Sequence, residues 1–447
     1  MRVLRMVLSS LLGFVLIGGL LGAVPAQASG GAPDDQPLTG YTINNPPLTP
    51  AAVSGQPAKV LQGVHSHAGY LIEVPPAWNG RLAMWAHGYR GQGTVLSVDP
   101  PLYGLRQQLL EQGYAWAASS YYDNGYDVRA GVTTTRELAS LFGKLVQQPK
   151  QVFIAGISMG GHIIGRSLEE YPGFYAGALP MCGALGDHKL FDYFLDYNLV
   201  AQDLAGERAY PTPPDYLTNA VPKTQQALGM TTLKPGGPDT LNALGAQLRA
   251  ITVNQSGGAR PGSDPAFAFW KDFLFGLMVP ATGNSLAQDP GQVATNLFTS
   301  YRPNTPVDVN RTVQRVVPAN PRARFSPALT ELPQIFGLPT APVLTLHGLG
   351  DLFVPFSMEQ VYRDDVARHG RTQLLAQRAI RTVNHCEFDA KEVGTAWNDL
   401  TRWVDTGQRP ASDVVNDPKA VAAPGYGCQF TDPAAYTTGT RRFFAPC

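Results

Sequence analysis

Gly156-Ile157-Ser158-Met159-Gly160 sets a serine between two glycines in the spacing G-x-S-x-G. A serine hydroxyl is a weak nucleophile until a neighbouring base takes its proton. Glycines on either side let the backbone fold sharply between a strand and a helix. That turn lifts the hydroxyl clear and aims the following amide, of Met159, at a reacting carbonyl. The base is sought among eight histidines: His65, His67, His87, His162, His188, His347, His369 and His385. His385 lies in Thr382-Val383-Asn384-His385-Cys386-Glu387-Phe388, after the last strand-like run and before the last helical one. It would take the Ser158 proton during attack and return it to the leaving group. An acid is expected at Asp351, in His347-Gly348-Leu349-Gly350-Asp351, just past an apolar run where groups gather at the carboxyl ends of strands. Its carboxylate would hold the imidazole Nδ1–H and fix the useful tautomer. Asp187 is the rival acid, following an earlier strand through Cys182-Gly183. The turn His87-Gly88-Tyr89 follows another apolar run and is expected to supply a second oxyanion-binding amide, from Tyr89, beside that of Met159. His87 itself is read as structural.

These residues need a sheet to bring them to one rim. Ala68–Val74 alternates apolar and polar and stops at Pro75-Pro76; 82–86, 114–120, 152–156 and 175–181 are further strand-like runs. Helical spacing fills the gaps at 102–112, 133–148 and 160–170, with Gly113, Pro149 and Tyr171-Pro172-Gly173 as stops. The threonines near 133 are available as caps. This alternation predicts right-handed crossovers and a mostly parallel sheet covered on both faces. The beat fails across 187–338, which reads as helices and Pro-rich joints, and resumes with a strand at 343–346, a helix at 358–369, a strand at 374–380 and a helix at 390–403. An insertion that interrupts a regular fold and then releases it is expected to cap one end of it. Its aromatic clusters, Phe191, Tyr193, Phe194 and Tyr197 with Phe269, Trp270 and Phe273, serve either cap packing or an apolar pocket.

Of the 447 residues, 34 are basic and 34 acidic, which argues against a nucleic-acid partner. At 44% hydrophobic the chain can build a core. Arg2 and Arg5, an uncharged apolar run over 11–24 and Ala26-Gln27-Ala28 predict a signal segment over 1–28, cleaved after Ala28, and an exported mature chain with no membrane span. Residues 29–59 read as an extended lead-in. Cys182, Cys386, Cys428 and Cys447 are an even set, which in an exported chain favours two disulfides with three pairings open. No CxxC or Cys/His spacing suggests a metal, and no phosphate loop or dinucleotide fingerprint suggests a cofactor.

The serine elbow, the His-Gly-Tyr turn, the Asp351-Leu352-Phe353-Val354-Pro355 turn and the Asn-His-Cys-Glu-Phe loop resemble those of the α/β-hydrolase superfamily. The resemblance spans 60–186 and 339–405, leaves 187–338 as a helical cap and 406–447 as a tail, and has the chain order Ser, Asp, His. It is nearest to secreted bacterial esterases with a helical cap. A cysteine beside the histidine is also similar to tannases and feruloyl esterases, whose partner cysteine adjoins the nucleophile; here Ile157 and Met159 flank Ser158. Cys182 ends the strand beside the elbow strand, so the expected bridges are Cys182–Cys386 and Cys428–Cys447. The resemblance implies a serine hydrolase cutting small-molecule or polymer esters, of aromatic or medium-length acyl groups, through an acyl-enzyme on Ser158 and without a cofactor. A serine aminopeptidase would share the fold and would need acidic groups such as Asp192 or Asp196 to hold an amino terminus. A silent binding protein would be expected to lack one member of the set. Oligomeric state is left open.

Overall fold

The computed structural model describes residues 33–280, 283–437 and 439–447. The expected signal segment lies outside the described residues. Eight strands form the main sheet: β1 Lys59–His65, β2 Ala68–Val74, β3 Arg81–Ala86, β4 Ala115–Ser119, β5 Gln151–Ile157, β6 Gly177–Met181, β7 Val343–Gly348 and β8 Leu375–Ile380. Their spatial order is β1-β2-β4-β3-β5-β6-β7-β8. β2 runs antiparallel to both neighbours, and the remaining pairings are parallel. A mostly parallel sheet in this order, covered by helices on both faces, is the α/β-hydrolase fold.

Period-two alternation sorts the side chains onto those two faces. Met84 and Ile154 point to one side, where α2 (Val128–Leu145) and α3 (Met159–Glu170) bury Val132, Phe142, Ile163 and Leu168. Trp85 and Phe153 point to the other, against Leu109 of α1 (Leu105–Glu111) and Trp397 and Leu400 of α9 (Ala390–Thr406). The helices begin where polar side chains can take up first-turn amides. Asp127 accepts from Ala130 N at 2.7 Å, so α2 starts five residues ahead of the expected position; the threonines lie inside it, and Thr134 donates to the Ala130 carbonyl. Asp389 and Glu392 form a reciprocal capping box for α9, which ends at Gly407 in the left-handed region.

Between β6 and β7 there is no strand among the described residues. The insertion is built on α4 Lys189–Ala205, α5 Ala220–Ala227, α6 Ala243–Gln255 and α7 Ser263–Trp270, before α8 Ser357–Arg368 resumes the core pattern. Polar side chains at its entrance and on α3 hold its exit. Asp187 accepts from Ile335 N at 2.9 Å, His188 Nε2 donates to the Leu332 carbonyl at 2.9 Å, and His162 Nε2 to that of Pro333 at 2.7 Å. The lead-in is not structureless: Thr42–Asn44 pairs in parallel with Val95–Ser97. Among the described residues no helix is long and apolar enough to cross a membrane.

Candidate active site

β5 ends at Ile157 and α3 begins at Met159, so the whole reversal falls on Ser158, whose φ of 58° and ψ of −122° lie where a side chain is strained. Close packing explains the flanking glycines. A Cβ on Gly156 or Gly160 would overlap the Ala86 carbonyl oxygen, and one on Gly161 would overlap Gly183. The strained serine is held by its own backbone: Ser158 N donates to the Met181 carbonyl at 3.0 Å, and its carbonyl accepts from Gly161 and Ala184.

Ser158 Oγ lies 2.9 Å from His385 Nε2, and His385 Nδ1 lies 2.5 Å from Asp351 Oδ2. With the ring proton on Nδ1, the hydroxyl donates to Nε2 and the imidazole to the carboxylate. Asp351 is fully buried, and its second oxygen accepts the amides of Phe353 at 2.9 Å and Val354 at 3.0 Å. Those two bonds fix the carboxylate plane and leave one oxygen for the histidine. The Phe353 ring meets the imidazole edge-on at 4.9 Å.

The rival acid does not reach this site. Asp187 spends its oxygens on the His188 and Ile335 amides, and burial pushes its carboxyl up to about 7. Of the other histidines, His87 stacks on Tyr121 at 3.8 Å and is kept neutral by burial, its pKa lowered to about 3; burial lowers His162 likewise. His347 donates Nε2 to the Val354 carbonyl at 2.8 Å and thereby props the Asp351 turn.

The His87-Gly88-Tyr89 turn packs directly on the serine: a Cβ on Gly88 would come within 3.0 Å of the Ser158 Cβ. Tyr89, Ser158 and Met159 line one cavity. Met159 opens α3, so its N–H belongs to the first-turn donors that no preceding turn can satisfy. The cavity has a volume of about 360 Å³ and runs beneath the insertion past Phe191, Phe194, Leu277, Met278 and Phe353. Among the described residues that line it Asp289 is the one charged side chain, with no lysine or arginine. The two acids singled out in sequence are committed elsewhere. Asp192 pairs with Arg324 at 2.7 Å, and Asp196 accepts the Tyr301 hydroxyl at 2.6 Å.

Disulfides join Cys182 to Cys386 and Cys428 to Cys447. Cys182, His385 and Cys386 offer ligand atoms close together, but both sulfurs are spent on the disulfide, so the cluster does not fit a metal ion. The base loop is also held by the tail. Thr440 Oγ1 accepts the amides of Val383 and Asn384 at 2.9 Å each, and Arg441 pairs with Glu392 at 2.6 Å. Sequence reading missed this role of the tail, and that of Trp270, whose indole reaches the turns of both the acid and the base.

No family model matches the chain. It is 22% identical over 421 residues to an o-phthalyl amidase from Xanthobacter agilis, covering 79% of this chain and 89% of the amidase. An esterase from Aspergillus oryzae matches with a TM-score of 0.44 at 14% identity, covering 80% of this chain and 81% of its own. Feruloyl esterase B from Aspergillus oryzae matches with 0.44 at 16%, covering 82% and 86%. The rice cell wall degrading esterase LipA from Xanthomonas oryzae matches with 0.35 at 15%, covering 75% and 82%. The fold assignment therefore rests on this chain's own strand order.

Proposed function

We propose that this chain of the α/β-hydrolase fold is an exported serine hydrolase that cleaves carboxylic esters through an acyl-enzyme on Ser158. The observation that carries the reading is the continuous path from Ser158 Oγ through His385 to a buried Asp351, over 2.9 Å and 2.5 Å, opening on an apolar cavity. In the forward step the hydroxyl oxygen bonds to the ester carbonyl carbon while Nε2 takes its proton. The tetrahedral oxyanion forms toward the amides of Tyr89 and Met159. Collapse expels the alkoxide, which leaves as alcohol with the proton from His385; water then repeats the cycle and releases the acid. Each aimed amide is worth about 3–4 kcal/mol to the transition state.

A cavity without lysine or arginine favours an uncharged acyl group, and its size and aromatic lining suit an aryl or medium-length chain. Two disulfides support export. A second reading, amide hydrolysis on the same relay, is favoured by the likeness to the o-phthalyl amidase. An aminopeptidase is less supported, since Asp192 and Asp196 are paired away from the cavity and only Asp289 stands in it.

The test is a paired assay of p-nitrophenyl acyl esters, graded in chain length and aromaticity, against the matching anilides. The reading expects ester turnover with a preference for uncharged butyryl-to-octanoyl or benzoyl groups, abolished in Ser158→Ala. Anilide cleavage without ester cleavage would replace it with the amidase reading.

A further inference from the structure

The acid turn and the base loop share a donor that neither of them supplies. Trp270, the last residue of α7 in the insertion, is 6% exposed. Its indole N–H points between two carbonyl oxygens, that of Gly350 at 3.1 Å and that of Val383 at 2.8 Å. Gly350 adjoins Asp351, and Val383 stands two residues before His385. The two turns touch at this point. Gly350 N donates to the Thr382 carbonyl at 2.8 Å, and a Cβ on Gly350 would come within 2.8 Å of the Val383 Cα.

A second side chain of the insertion grips the next carbonyl along. Arg260 Nε donates to Leu349 O at 2.5 Å, while its other nitrogens bond the Gly258 carbonyl and Ser256 Oγ. Arg260 is 5% exposed and has no carboxylate at salt-bridge distance among the described residues, although the buried Asp351 carboxylate attracts it at longer range. A buried cation without a salt bridge is costly, and neutral oxygens offset that only in part. Packing alone would be served as well by apolar side chains, so the directed bonds to Leu349 O and Gly350 O at the Asp351 turn and to Val383 O at the His385 loop call for another account.

We propose that Trp270 and Arg260 are positioning residues for the Ser158–His385–Asp351 relay. The insertion is then part of the frame that sets the distance between acid and base, as well as a wall of the cavity. This inference rests on the reading of those three side chains as the catalytic relay. Displacing reacting groups by about 1 Å can slow a reaction by roughly a hundredfold.

Trp270→Phe keeps an aromatic ring, smaller than the indole, and removes the N–H. On p-nitrophenyl butyrate, kcat should fall about 10- to 100-fold with KM held within about twofold, since Trp270 is not among the described residues that line the cavity. A proton NMR spectrum gives a readout that loss of packing alone would not move: the deshielded His385 Nδ1 proton should broaden or shift upfield in the variant. A kcat within about twofold of wild type, a loss confined to KM, or an unmoved proton overturns the proposal. If Trp270→Phe does not accumulate as folded protein, Arg260→Lys carries the test. It keeps the charge and loses the Nε–H, and should show the same kcat-only loss; an unchanged kcat overturns the proposal. A wild type that turns over no ester or anilide overturns the reading of the site as well. An active wild type with a fully active Trp270→Phe overturns the positioning role alone.

Discussion

Removing the Cys182–Cys386 bridge should reduce both stability and turnover, whereas removing Cys428–Cys447 should reduce stability alone. The bridges close loops of very different length, with sequence separations of 204 and 19. On a chain-entropy argument the first stabilises the fold by roughly 5 kcal/mol and the second by roughly 3 kcal/mol. Only the first sits in the site, since Cys386 adjoins His385. Without it the base loop keeps the bond from the Tyr103 hydroxyl to the Cys386 carbonyl, at 2.6 Å, and the two amide bonds to Thr440. The loop should therefore shift without dissolving, and kcat on p-nitrophenyl butyrate should fall about 10- to 100-fold. The tail keeps its Arg441–Glu392 anchor when the second bridge is removed. The assay compares C182S/C386S with C428S/C447S by urea unfolding and by kcat at a temperature where circular dichroism finds both variants folded. An unimpaired kcat in C182S/C386S, or equal impairment in both variants, would refute the reasoning.

Three further outcomes are expected. Asp351→Asn should keep its Oδ1 on the Phe353 and Val354 amides and turn its NH₂ toward His385, selecting the wrong tautomer; kcat should fall roughly 10³- to 10⁴-fold with KM little changed in steady-state assays. Gly160→Ala drives a methyl into the Ala86 carbonyl and should yield little folded, active protein, whereas Gly93→Ala, with open space around it, should melt within about 0.5 kcal/mol of wild type. Burial lowers the pKa of His87 and His162 to about 3 and of His188 to about 4, below the ordinary imidazole value of 6.5. The unfolded chain then binds more protons below about 6.5, so the stability these groups contribute is present above that pH and lost as it falls toward 3–4. Melting temperature should drop steadily over that window, and more shallowly in His162→Gln.

The central strands and the serine elbow were legible because β5 and β6 are buried on both faces, which leaves short apolar runs cut off by glycine and proline. His385 and Asp351 were legible by position, each just past a strand end. β1 was not: it is an edge strand, nearly all half-buried, and gives no clean alternation. The start of α2 was misplaced because a threonine run resembles a cap, while the carboxylate that caps lies upstream at Asp127. Asp192 and Asp196 were plausible ligands for an amine only until Arg324 and Tyr301, each more than a hundred residues away, proved to be their partners. Trp270 carries the same lesson. Its ring fits an apolar helical stripe, and nothing local reveals that its N–H meets carbonyls 80 and 113 residues downstream. Side-chain bonds across the fold leave no periodicity to read.

The most direct test of the account is a peptide map of the intact chain after reaction with a fluorophosphonate. A single adduct on Ser158, absent from Ser158→Ala and slowed in Asp351→Asn, is the predicted result. An unreactive wild type, or an adduct that persists in Ser158→Ala, would contradict it.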